Sequence, residues 1–170
     1  MLMLVMLTTS VFAASNIDTD RWFWVASNSE LTTYIDKHNI KYNPDTDSCD
    51  LWTLSNVPPK NEYRIVHSVI YYKQNIIKSY DFAIYNSNNP QPISSGNQNG
   101  FIEPIIPNSI GEILKEKSLT LINRDEELAE YQKQQEAEAQ QAEQERKDKE
   151  KEQRNKQIAD TAIGIIGGLF

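Results

Sequence analysis

Pro104 and Pro107 stand where this chain changes character, and they constrain its fold more than any other residues. Neither can donate to a sheet ladder, so strand pairing is expected to stop within Phe101 to Leu114. A helix is expected to begin at once. Ser109 followed three residues later by Glu112 is a capping box, in which a hydroxyl and a carboxylate each satisfy a backbone N–H left over at a helix start. Ile110, Ile113 and Leu114 supply its first apolar turn.

Upstream, from Arg21 to Ala83, short aromatic and branched runs alternate with turn residues, the pattern of an antiparallel sheet. Five strands are expected. Arg21 to Ala26 places Trp22 and Trp24 on one face and Phe23 and Val25 on the other. Leu31 to Asp36 is its partner, a short segment surrounds Ile40, and Cys49 to Leu54 carries Trp52. The best hairpin joins Glu62–Tyr72 to Ile76–Ala83 through Lys73-Gln74-Asn75. Apolar residues on both of its faces predict central strands buried on both sides. Asn86 to Gly100, rich in Asn, Ser, Gln, Pro and Gly, reads as a surface loop.

Downstream, Asp125 to Gln157 consists almost entirely of Glu, Gln, Lys, Arg and Ala, with no Gly or Pro. A single helix of about 33 residues, roughly 50 Å long, is expected. No coiled-coil seam is expected, because one from Leu128 and Tyr131 next meets Gln135 and Glu138, and a solvated single helix or frayed stalk is expected, with a partner-bound helix as the alternative. The last stretch, 158–170, is apolar and glycine-bearing. Two readings stay open for it: Gly164, Gly168 and Phe170 as contact points for a second helix or a membrane surface, or a tail folded back on its own head domain. It is too short to span a bilayer.

The opening apolar run, ending at Val11-Phe12-Ala13, predicts a signal peptide over residues 1–13 and therefore export to the periplasm or cell surface. No Lys or Arg precedes the run, which leaves open whether Met1 is the true start. The predicted domains are then 14–118, an antiparallel sheet with a C-terminal helix in an α+β fold, 119–157, a charged helical stalk, and the 158–170 tail.

Chemistry is sparse. The formal net charge of −7 argues against nucleic acid, whose binders need a basic footprint. Cys49 is the single cysteine, so its only disulfide would be intermolecular. His38 reads as an exposed turn residue and His67 as an ordinary strand residue. Asp45, Asp47 and Asp50 crowd one loop, yet the Gly and Glu of a calcium loop are replaced by Asp50 and Asn56. No catalytic residue, cofactor or metal site is expected. Trp22, Trp24, Trp52 and Tyr72 are the candidates for a binding face, with core packing as the alternative.

Trp22 in a first strand, Tyr34-Ile35-Asp36 followed by Ile40, Trp52, a tyrosine-ended hairpin, and then Pro104-Ile105-Ile106-Pro107-Asn108-Ser109-Ile110-Gly111-Glu112 together resemble the surface-adhesin protein E family, over roughly residues 21–117. The resemblance implies an antiparallel sheet with a packed helix, export, homodimers and binding to host matrix proteins. The family's cysteine pair is absent here, and the polar helix and apolar tail are additional. Two functions are carried forward. One is a surface or periplasmic module that binds another protein through its sheet. The other is a structural envelope protein whose helix and tail mediate membrane association or oligomerisation.

Overall fold

The computed structural model describes residues 17–167, and of residues 157–167 the backbone alone; the expected signal peptide lies outside them. The chain divides into two units, one ending at Asn123 and the other beginning at Arg124.

The first unit is an antiparallel sheet with one α-helix. Its strands are β1 (Trp22–Ser27), β2 (Thr32–Asp36), β3 (Lys41–Asn43), β4 (Ser48–Val57), β5 (Glu62–Tyr71), β6 (Ile76–Asn86) and β7 (Pro92–Pro104), followed by α1 (Ile110–Leu119). They pair in the order β1-β2-β4-β5-β6-β7, with β3 also on β4. The expected antiparallel α+β architecture is present with seven strands instead of five. The two additional strands are β3 and β7.

β7 replaces the surface loop read from Asn86 to Gly100. It runs antiparallel to β6 from Pro92↔Tyr85 to Pro104↔Ile76, with two register shifts. Its Ser, Asn, Gln and Gly residues give no apolar period because almost all of them are exposed. Backbone pairing and two rings of β6 hold it instead. A Cβ built on Gly96 would come 3.2 Å from Phe82 Cε1, and one on Gly100 3.3 Å from Tyr80 Cε1. Rings laid against glycines shield a stretch of ladder that has no side chains of its own.

The end of β7 and the start of α1 follow the proline and capping logic. Beyond Pro104, the Ile105 N–H donates to Asn75 O (2.9 Å), and Asn75 Nδ2 donates to Ile105 O (3.0 Å). Lys115 Nζ of α1 donates to Asn75 Oδ1 (2.7 Å), so one turn residue pins both elements. Asn75 adopts a left-handed φ of 55°, which Asn tolerates better than most residues. Ser109 Oγ accepts the Glu112 N–H at 3.2 Å. The Glu112 carboxylate reaches one residue further back than the usual box, to the Asn108 N–H at 2.7 Å, because the Ser109 N–H is taken by Ile106 O.

Strand register sorts the side chains onto two faces, since directly opposed residues point the same way. One face carries Ile35, Cys49, Leu51, Ile70 and Ile77, all buried. α1 packs on this side, burying Leu114 and Ser118, with Gly111 against Ile77. The other face carries Trp52, Ile65, His67, Val69 and Tyr71, all half-exposed. The central strands are therefore buried on one side only, and the second apolar row of β5 lies open.

The second unit is one helix, α2, from Arg124 to Gly167. Its side chains are exposed throughout 132–156. Lys147 pairs with Glu143 at 2.7 Å and Arg146 with Glu150 at 3.8 Å, spacings of four residues. Such exposed pairs each contribute only a few tenths of a kcal/mol. The helix extends ten residues past the boundary expected at Gln157, into the apolar stretch.

Candidate binding face

The open face is built around His67 at the middle of β5. Trp52, its partner across β4, stacks on the imidazole with centroids 4.8 Å apart and planes 18° apart. On the β6 side the register slips, so that Tyr80 and Asp81 both fall opposite His67. Tyr80 tilts against the ring at 5.6 Å. His67 Nε2 lies 3.0 and 3.1 Å from the two Asp50 carboxylate oxygens, and Nδ1 lies 3.4 Å from Asp81 Oδ2. Asn97 Nδ2 of β7 then donates to Asp81 Oδ1 at 2.7 Å. A polar ladder thus crosses β4, β5, β6 and β7. The His67 side chain is 22 % exposed, and those of Asp50 and Asp81 are 49 % and 52 % exposed.

Further along the face, Tyr63 and Tyr85 stack at 4.7 Å with planes 4° apart. Arg21 Cζ sits 5.0 Å from the Trp22 ring, and Lys78 Nζ 4.7 Å from that of Tyr71. Each of these rings has a flat side occupied by a neighbour of its own chain. Stacking across strands stands the rings on edge, so the face presents edges and the grooves between them. A groove of about 300 Å³ is lined by Trp22, Leu54, Asn56 and Tyr63. A second, of about 330 Å³, lies between Trp22, Trp52, Ile65 and Asp36. A third, of about 590 Å³, lies beside Asp50, Val69 and Tyr71.

Arg21 does more than cover Trp22. Its Nε and Nη2 donate to Asp36 Oδ2 at 2.9 and 2.6 Å, Asn39 Nδ2 donates to the same oxygen, and the His38 N–H donates to Oδ1. Asp36 is fully buried at the rim of the second groove. Desolvation pushes its carboxyl upward. The bonds from Arg21, Asn39 and His38 together outweigh that push and hold it below the usual carboxylate range.

The four aromatic candidates separate. Trp22 and Trp52 lie half-buried on the open face, as register demands. Trp24 is at the sheet's β1 edge, 51 % exposed, its Nε1 donating to Ser27 Oγ. Tyr72 is no part of a surface. It is 6 % exposed and held at 2.8 Å by Ser118 Oγ of α1, being one residue out of phase with Tyr71. Cys49 lies in β4, the strand expected from Cys49 to Leu54, and is fully buried on the covered face. A thiol packed under α1 cannot reach a second chain while the fold is intact, so the intermolecular disulfide is withdrawn. Gly164 lies within α2, while Gly168 and Phe170 lie outside the described residues.

The three aspartates of the expected loop diverge. The Asp47 carboxylate accepts from Tyr42 Oη at 2.8 Å, Asp50 faces His67, and the Asp45 N–H is taken by Asn43 Oδ1. Among the described residues no cluster of three His, Cys, Asp or Glu side chains could hold a metal ion. Both nitrogens of His67 face carboxylates, which leaves neither to activate a hydroxyl, and Cys49 is on the opposite face.

Sequence reading missed Tyr63, Tyr85, Tyr80, Asp50 and Asp81 as members of this face. The parity of Tyr63, Ile65, His67, Val69 and Tyr71 along β5 was the available signal. What it lacked was the position of α1, which decides which parity is open. No family model, curated protein or solved structure matches this chain.

Proposed function

We propose that this chain is an exported binding module, adhesin-like in character, that recognises another protein through the open face of its sheet. The observation that carries this reading is the state of the rings. A sugar or a nucleobase binds by lying flat on a free ring. On this face one flat side is taken on each ring, on Trp52 by His67, on Tyr63 by Tyr85, on Trp22 by Arg21 and on Tyr71 by Lys78. The grooves between ring edges suit inserted side chains, and the half-exposed Asp50 and Asp81 suit donors from a partner. Export rests on the apolar run that ends at Ala13. The resemblance to surface adhesins supplies the partner class, a host matrix protein.

Surface plasmon resonance against purified extracellular-matrix proteins, with serum albumin as reference, tests the reading. Asp81→Arg and Asn56→Arg, placed at opposite ends of the face, should each weaken binding at least tenfold while the melting temperature holds. Lys60→Glu, on the exposed turn between β4 and β5, should leave binding unchanged. Binding indifferent to both face variants, or no matrix protein bound above albumin, overturns it.

A further inference from the structure

The backbone of α2 is helical through Gly167, so the apolar stretch continues a helix already under way. Positions 157–167 can therefore be placed around the helix from their spacing. Ile158, Ala159, Ala162, Ile163, Ile165 and Ile166 fall within one arc of about 160°, and the remaining arc takes Gln157, Asp160, Thr161, Gly164 and Gly167. In sequence, Leu169 and Phe170 extend the apolar spacing.

The charges leading up to this segment are sorted. Between Asp125 and Glu145 there are eight carboxylates and one cation, Lys133. The eleven residues before Gln157 reverse the sign: Arg146, Lys147, Lys149, Lys151, Arg154 and Lys156 stand against Asp148, Glu150 and Glu152. An acidic chain has thus gathered a basic collar directly before its apolar arc. Helix rise puts Glu145 roughly 20 Å from Ile158, about two Debye lengths at physiological salt. An anionic surface at the tail would therefore feel the collar and be screened from most of the acidic segment. Two of the cations have exposed carboxylate partners, Glu143 and Glu150, which tie them only weakly.

We propose that α2 from Ile158 onward is a lipid-binding segment that seats its apolar arc in the plane of an anionic membrane surface. Among the described residues no helix is long and apolar enough to cross a membrane, and the ten helical residues from Ile158 to Gly167 reach only about 15 Å against a core of about 30 Å, so the segment lies in the interface. A second copy of the helix is the weaker occupant. The sequence before it has no apolar seam to continue, with Gln135 and Glu138 where Leu128 and Tyr131 would need successors.

The test is co-sedimentation of the full chain with vesicles of phosphatidylcholine alone and with added phosphatidylglycerol, beside sedimentation velocity without lipid. Wild type should bind the anionic vesicles at least tenfold more tightly than the neutral ones, and lose most of that binding in high salt. Ile163→Glu with Ile166→Glu should abolish binding. Lys149→Glu with Lys156→Glu should remove the preference for phosphatidylglycerol. Gly164→Ala, in the polar arc, should change nothing. Failure of wild type to bind either vesicle, or binding unaffected by the isoleucine pair, overturns the proposal. Self-association that Gly164→Ala abolishes does so too, by assigning the segment to helix pairing.

Discussion

The Tyr72 hydroxyl and Ser118 Oγ lie 2.8 Å apart in the buried seam between the sheet and α1, joining residues 46 apart in sequence. Ser118 spends its own hydrogen on Lys115 O at 2.7 Å, so it receives the proton of Tyr72. Tyr72→Phe keeps the ring and deletes this bond. It should cost about 1–2 kcal/mol in urea unfolding with the m-value unchanged. A loss of helicity without a shift in midpoint would show instead that α1 docks independently of this contact.

Asp36 gives the fold an acid limit. Its bonds from Arg21, Asn39 and His38 overcome the desolvation that opposes them and keep the carboxyl lower in the folded chain than the ordinary value of about 3.9 in the unfolded one. The unfolded state therefore binds the proton more readily. The stabilisation is complete above about pH 4 and is lost as pH falls through the folded value. Asp36→Asn should flatten that limb of the pH–stability curve. Arg21→Met leaves the buried carboxylate without its main donor and should cost about 1–3 kcal/mol at neutral pH. Arg21 is 46 % exposed, so the lower end of that range is expected.

What the sequence made legible was local. The prolines, the capping box and the period-two runs each act within a few residues, and α1 begins at Ile110 as they require. The face assignments of β5 were also legible, because alternation is a property of one strand. Which face lies open was not, since it depends on α1 covering Ile70 and Ile77 and leaving Val69 and Tyr71. The His67 ladder was hidden for the same reason: Asp50 and Asp81 are 17 and 14 residues away and meet it only through register and a slip in β6.

Cys49 shows how burial rewrites a reading made from composition. Desolvation by burial, the largest cause, pushes its thiol up to about 11. The native protein should resist Ellman's reagent at pH 8 and react with one equivalent after denaturation. It should also run as a monomer on a non-reducing gel after oxidation in the folded state. In alkali the unfolded thiol ionises first, near 8.5, so the stability tied to a neutral Cys49 is full below that pH and lost as pH rises through 11. A disulfide-linked dimer formed under native conditions would show that β4 opens.

β7 offers the sharpest comparison, because two glycines face two rings and differ in backbone. Gly100 has φ +72°, in the left-handed region, and its missing Cβ leaves room for Tyr80. Gly96 meets Phe82 at a similar distance without a positive φ. Ala at 100 pays both strain and crowding, whereas Ala at 96 pays crowding alone and gains from a less flexible unfolded chain. Gly100→Ala should therefore destabilise by about 1–2 kcal/mol, and Gly96→Ala by no more than about 0.5 kcal/mol, measured as urea midpoints. Hydrogen exchange adds the local test. Gly100→Ala should raise exchange of the β7 amides around Phe101 while leaving those of β4 unchanged, because an edge strand opens without the centre of the sheet. Equal costs at the two positions would mean that the left-handed turn is not maintained in solution, and that β7 is held by its backbone pairing alone.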